Sequence, residues 1–293
     1  MVEKAVWYQG IRDIHDRHIH DSWEERVDAI NQRYQLRGEH ILLTHGPGVP
    51  MPWFNGDIQS VEPGKWVLVI SLNHQIDSNP SEAAPRMGSG SSVSDAWWNA
   101  RRTMNMDRWY GQFFGPLARV AAAAMREPLS KQEEPSFSAR RMVFVEICPY
   151  ASNKFNLDWP IVKELHATDL GFRLASEVNH LLIEQGEPAL VMVNGNSAIE
   201  MFRHLYANAL DWREVRYDSC HPPQVGRKQK RLRHYCGSLR LGKRMMPVMG
   251  FPFLRTPSTH NSNQEVALLG EHAVRCIRSD FPAVSADSMS HHP

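Results

Sequence analysis

The chain of 293 residues lacks most of the features that assign a protein quickly. No apolar stretch approaches the roughly 20 residues of a membrane span, and the N-terminus, with Glu3, Lys4 and Arg12 among short apolar pieces, has no signal-peptide core. Its four cysteines, Cys148, Cys220, Cys236 and Cys276, lie far apart without a C-x-x-C pair. That spacing argues against a zinc ribbon and, in a chain this long, against a disulfide framework. These absences together imply a soluble protein of a reducing, cytoplasmic compartment. Net charge is nearly absent as well: 33 basic and 32 acidic residues leave +1, so any nucleic-acid surface must arise from local segregation of charge. His15, His18 and His20 are dense, but no H-E-x-x-H spacing accompanies them. A helical surface accounts for them, and no metal is expected.

What the chain does have is core-forming material, with 42% hydrophobic residues, and its length suits one large domain. The expected organisation is a single domain over residues 1–280, with a helical extension at 1–60 and a disordered tail at 281–293. The most informative stretch is Lys65-Trp66-Val67-Leu68-Val69-Ile70-Ser71-Leu72-Asn73-His74-Gln75, an apolar run that stops on three polar side chains. Such a run reads as a buried strand of a parallel sheet, and in open α/β sheets ligands sit beyond the carboxyl ends of the strands.

Three further strands are predicted, at 141–147, 189–193 and 247–254, separated by helical patterns. Helices are predicted at 21–37, 95–125 (broken near Gly115-Pro116), 168–185, 198–209 and 265–278, with 131–138 as a polar connector. Residues 79–94, rich in Pro, Gly and Ser, read as a long loop directly after the first strand. Strands alternating with helices imply a parallel sheet covered on both faces. All four strand ends then share one edge, which gathers Asn73, Glu146, residues 194–197 and residues 256–260.

That ordered set resembles the uracil-DNA glycosylase superfamily, whose motifs would run here from about Trp66 to His272. Ser71-Leu72-Asn73-His74-Gln75 is similar to its first motif, a strand ending like Gly-Ile-Asn-Pro-Gly or Gly-Gln-Asp-Pro-Tyr. Glu146-Ile147-Cys148-Pro149 is similar to Asn-x-Cys-Pro, Gly195-Asn196-Ser197 to the phosphate-holding Gly-Ser loop, and Thr256-Pro257-Ser258-Thr259 to His-Pro-Ser-Pro. The resemblance implies a three-layer α/β sandwich with a central four-stranded parallel sheet flanked by helices. It implies that Asn73 positions the attacking water, Glu146 reads the flipped base, and Asn196, Ser197 and Ser258 meet the DNA backbone. His74 and Gln75 replace Pro-Gly or Pro-Tyr, and Thr256 replaces the histidine that donates to the base; His260 is the alternative donor. The N-terminal cysteine pair of the iron–sulfur branch is missing, so no cluster or other cofactor is expected.

The residues carry a reading of their own beside the resemblance. Cleaving an N-glycosidic bond develops oxocarbenium character on the sugar and negative charge on the departing base. The Asn73 amide orients a water through its oxygen but takes no proton at pH 7, so His74 or Asp77 is the candidate general base. An Asn at the base-reading position suits uracil, whereas the carboxylate of Glu146 only accepts and favours the exocyclic amine of cytosine. Unmodified cytosine is no usable target, because its removal would destroy the host genome; modified cytosines remain. The chain resembles a bacterial anti-phage branch that excises glucosylated hydroxymethylcytosine, for which the Gly/Ser loop at 87–94 would provide room; the alternatives are a uracil or mismatch glycosylase with an unusual pocket and, given His74, Gln75 and Thr256, a nucleic-acid-binding module of the same fold without catalysis. Tyr150 is the candidate stacking ring, ahead of Trp97 and Trp98. The run containing Arg227, Lys228, Lys230, Arg231 and Arg233 is the candidate phosphate contact. The partner so implied is DNA.

Overall fold

Val67–Ser71 (β2) and Met142–Glu146 (β3) are short aliphatic runs whose successive side chains can both be buried only in the interior of a sheet. In the computed structural model, which describes residues 3–44, 54–73, 92–107, 109–220, 231–252, 254 and 262–278, they are adjacent interior strands of the sheet. Leu190–Asn194 (β4) joins the other side of β2, and Arg244–Phe251 (β7) joins β4. These four run parallel in register, Val67 beside Met142 and Leu190, Val191 beside Val248.

The protein is mixed α/β, and among the described residues its sheet has seven strands rather than four. Phe54–Asn55 (β1) pairs antiparallel with β3 on one edge. At the other edge, Leu210–Asp218 (β5) and Arg231–Leu241 (β6) form an antiparallel pair that continues onto β7. The order is β1-β3-β2-β4-β7-β6-β5, and the last parallel strand starts and stops about three residues earlier than the sequence pattern predicts.

Alternation divides the strands between two apolar clusters. Leu68, Ile70, Val143, Val145, Val191 and Val193 face one; Val67, Val69, Met142, Phe144, Leu190 and Met192 face the other. Each fully buried side chain of this size contributes roughly 1.5–3 kcal/mol. The first cluster takes in residues of Glu3–His18 (α1), Trp23–Arg33 (α2), Val93–Asp107 (α3), Trp159–Thr168 (α6), Leu170–Glu184 (α7) and Asn196–Leu205 (α8). The second takes in Gly111–Met125 (α4), Glu134–Arg141 (α5) and Asn263–Arg278 (α9).

Several local expectations are corrected. The 95–125 region breaks before Gly111, not at Pro116, which lies inside α4. The carbonyl that Pro116 leaves without an intrahelical donor belongs to Gln112 in the exposed first turn, where water can satisfy it. Residues 131–138 are not a plain connector: Pro135 opens α5, and the buried Glu134 meets Arg119 at 3.7 Å against Gly115. The helix predicted at 21–37 spans only Trp23–Arg33.

His15 is not on a helical surface. It is fully buried, stacked on Trp97 at 4.0 Å, and burial lowers its pKa to about 4. Trp97 and Trp98 are core residues of the same cluster. The cysteines are not isolated either: α9 packs on β6, and Cys236 and Cys276, 40 residues apart, form a disulfide with Cα atoms 5.8 Å apart. Cysteine spacing therefore carries no statement about the compartment. Among the described residues, no helix is long and apolar enough to cross a membrane.

Candidate functional site at the carboxyl edge of the sheet

In the four parallel strands the chain passes from β2 outward to β3, then crosses to β4 on the opposite side of β2, and on to β7. The carboxyl ends of β2 and β4 therefore flank a topological switch point, the place where α/β sheets open a crevice. Asn73 stands at one side of it and Asn194-Gly195-Asn196 at the other.

The β2–β3 side is fixed by backbone. Ser71 pairs with Glu146 in the ladder, and beyond it the Ile147 and Cys148 amides donate to the Ser71 and Leu72 carbonyls at 3.0 and 2.8 Å. Asn73 follows at once, half-buried, its Nδ2 donating to Ser152 Oγ at 2.7 Å. Glu146 is half-buried, with Oε2 enclosed by protein, and its carbonyl accepts from Asn179 Nδ2 at 3.3 Å. By strand alternation Ser71, Glu146 and Asn194 share the sheet face of the second apolar cluster.

On the β4 side Asn194 is buried, and its Oδ1 accepts from the Leu254 amide at 3.0 Å. Gly195 caps α8 at φ +110°, a conformation that favours glycine, and its amide donates to the Phe251 carbonyl at 2.9 Å. The ends of β4 and β7 are thereby tied together. Asn196 and Ser197 stand exposed in the first turn of α8, where unpaired backbone amides favour an anion.

No protein-family model and no curated protein matches this chain. What the edge does has to follow from its own residues. Asn73, Glu146, Asn196 and Ser197 are brought to one edge by the fold. His74, Asp77, Thr256, Ser258, His260, Arg227, Lys228 and Lys230 lie outside the described residues.

Tyr150 has no face to offer a base. It is fully buried, edge-on to Phe172, and its hydroxyl donates to Asp169 Oδ1 at 2.9 Å. The same carboxylate oxygen caps α7 through the Phe172 amide. Burial and the Asp169 charge raise the phenol far above its ordinary value, so Tyr150 stays a neutral donor.

The basic run is likewise divided by the fold. Arg231 opens β6 and lies 3.7 Å from Asp218; Arg233 lies at the same separation from Glu214. His234 points inward, stacked on His272 at 4.6 Å, and burial lowers its pKa to about 3. Near it the fully buried Glu265 accepts from the Ser219 hydroxyl and the Cys220 amide at 2.5 and 2.9 Å, holding the end of β5 against α9. Sequence reasoning missed Ser152, Glu265 and the histidine pair because their partners are remote in sequence. The inward alternation of His234 and Cys236 between arginines is the one local sign of β6.

Proposed function

We propose that the protein is a monofunctional DNA glycosylase of the uracil-DNA glycosylase type, built as a three-layer sandwich, that removes a modified cytosine and leaves an abasic site. One observation carries the reading: the parallel register sets the ends of β2 and β3 side by side, so that Asn73 and Glu146 stand at adjacent strand ends beside the switch point. Two polar groups with different hydrogen-bonding capacities at such an edge suit a reaction that needs one for water and one for the base.

In this reading Asn73 orients the water through its amide oxygen, and Glu146 accepts from the exocyclic amine of the flipped base. The amides at the start of α8, with Asn196 and Ser197, hold the phosphate beside the flipped nucleotide. His74 or Asp77 takes the proton from water, and Thr256 or His260 donates to the base carbonyl. Arg227, Lys228 and Lys230 supply non-specific affinity; Arg231 contributes less because Asp218 already meets it. A glucosylated hydroxymethylcytosine keeps the amine that Glu146 reads while carrying a group that no genomic cytosine of the host carries.

The test is base release from duplexes containing uracil, 5-hydroxymethylcytosine or its glucosylated form, followed by alkali. Strand breaks at a modified cytosine support the proposal. Breaks at uracil alone sink the reading of Glu146, and no breaks in any duplex sink the enzyme.

A further inference from the structure

The N-terminal extension reaches the candidate site by a continuous path of hydrogen bonds. Asn31, buried on α2, holds both backbone polar groups of Leu42: Nδ2 donates to the Leu42 carbonyl at 2.8 Å and Oδ1 accepts from the Leu42 amide at 2.9 Å. The next residue, Leu43, exchanges two backbone hydrogen bonds with Ala151, at 2.8 and 2.9 Å. Ser152 follows Ala151, is buried, and accepts from Asn73 Nδ2 at 2.7 Å. Residue 31 is thus linked to residue 73 through two segments distant in sequence.

A primary amide presents a donor and an acceptor of nearly the same shape, and only its neighbours decide which way it faces. Turning Asn73 over would exchange an acceptor, which takes a water O–H, for a donor, which occupies the oxygen lone pair that the water would attack with. We propose that Ser152 is the positioning residue for Asn73: its buried hydroxyl holds the side-chain amide at the end of β2, with Nδ2 on Ser152 Oγ. The α2 segment, through Asn31 and the Leu43–Ala151 bridge, holds Ser152 in place. This rests on the glycosylase reading for its kinetic consequence, but not for its geometry.

The test uses the full chain with Ser152→Ala, which removes one oxygen from a buried position, and Ser152→Cys, which refills the space with a weak acceptor. Two readouts are taken from variants whose melting shows them folded. In the NMR spectrum the Asn73 side-chain amide, assigned by its loss in Asn73→Asp, exchanges slowly with water in the parent and at least about tenfold faster in Ser152→Ala. In base release, kcat falls about tenfold with KM within twofold, and Ser152→Cys lies between parent and Ser152→Ala. Unchanged exchange in both variants overturns the positioning role. Faster exchange with an unchanged kcat overturns its part in the reaction. A parent that exchanges slowly yet releases no base from any duplex refutes the glycosylase reading alone, and the exchange data still decide the geometry. Should Ser152→Ala fail to fold, the Cys variant carries both readouts.

Discussion

Ser71 and Glu146 face one another as the last pair of the parallel β2–β3 ladder, both half-buried and on the same sheet face. The pairing fixes Glu146 within the regular part of the sheet while Asn73 stands two residues past it. A carboxylate held on a strand is a better reader than one on a loop, because its backbone cannot drift.

Glu146→Asn should therefore exchange preference without unfolding the chain. An amide at this point no longer offers two acceptors to an exocyclic amine. Discrimination per base contact is about 1–3 kcal/mol, so release of modified cytosine should fall roughly 10- to 100-fold, with residual activity moving toward uracil. Competition between the two duplexes in one reaction reads this directly.

Asn73→Ala removes the water-orienting amide. Base release should fall by roughly 10²-fold or more, while stability changes by only about 1 kcal/mol because the side chain is half-buried and the loss centres on its hydrogen bond to Ser152 Oγ. DNA binding in a gel or by anisotropy should stay close to the parent; equal losses of binding and turnover would place Asn73 in the DNA contact instead.

Acid should weaken the fold through His15. Its folded pKa is about 4 against 6.5 for the free side chain, because burial penalises the imidazolium. Between those values the unfolded chain takes up a proton that the folded one refuses, so stability present above the unfolded value is lost as pH falls toward the folded one. From pH 7 to 5 this amounts to about 2 kcal/mol; Asp16 on α1 works against the depression, whereas Arg12 on α1 and Arg101 on α3 add to it. His15→Phe keeps the ring on Trp97 and should reduce the pH dependence of denaturant midpoints over that interval by the share of His15, leaving that of His166 and His234, which burial depresses in the same direction.

Cys236 and Cys276 close a loop of 40 residues, which in the chain-entropy picture stabilises the fold by up to about 4 kcal/mol. Alkylation of the denatured, unreduced chain should label Cys148 and Cys220 only, and reduction should lower the melting temperature. Labelling of all four cysteines before reduction would show that the pair is not bonded.

How much of this was legible in the sequence follows from where each signal lies. β2, β3 and β4 announce themselves because buried parallel strands need unbroken apolar runs, and the three runs end at Asn73, Glu146 and Asn194. β5 and β6 stayed hidden because Arg213 and Arg216 in one, and Arg231, Arg233 and Arg240 in the other, put charge on both faces and mask the period-two pattern of His234 and Cys236. The fate of Tyr150 was illegible for a different reason. A tyrosine at a strand end looks available until a carboxylate 19 residues later, Asp169, takes its hydroxyl. Ser152 and Asn73, 79 residues apart, leave no local trace of their pairing.

Genomic DNA whose cytosines are uniformly glucosylated hydroxymethylcytosine, incubated with the purified protein, offers the decisive chemistry. The free modified base and the abasic sites left behind should appear in equal amounts, and both should form roughly 10²-fold more slowly, or slower still, with Asn73→Ala. Release of uracil from uracil-containing DNA alone, or no free base from either, would contradict the reading of Asn73 and Glu146 as the water- and base-directing residues of a cytosine-type glycosylase.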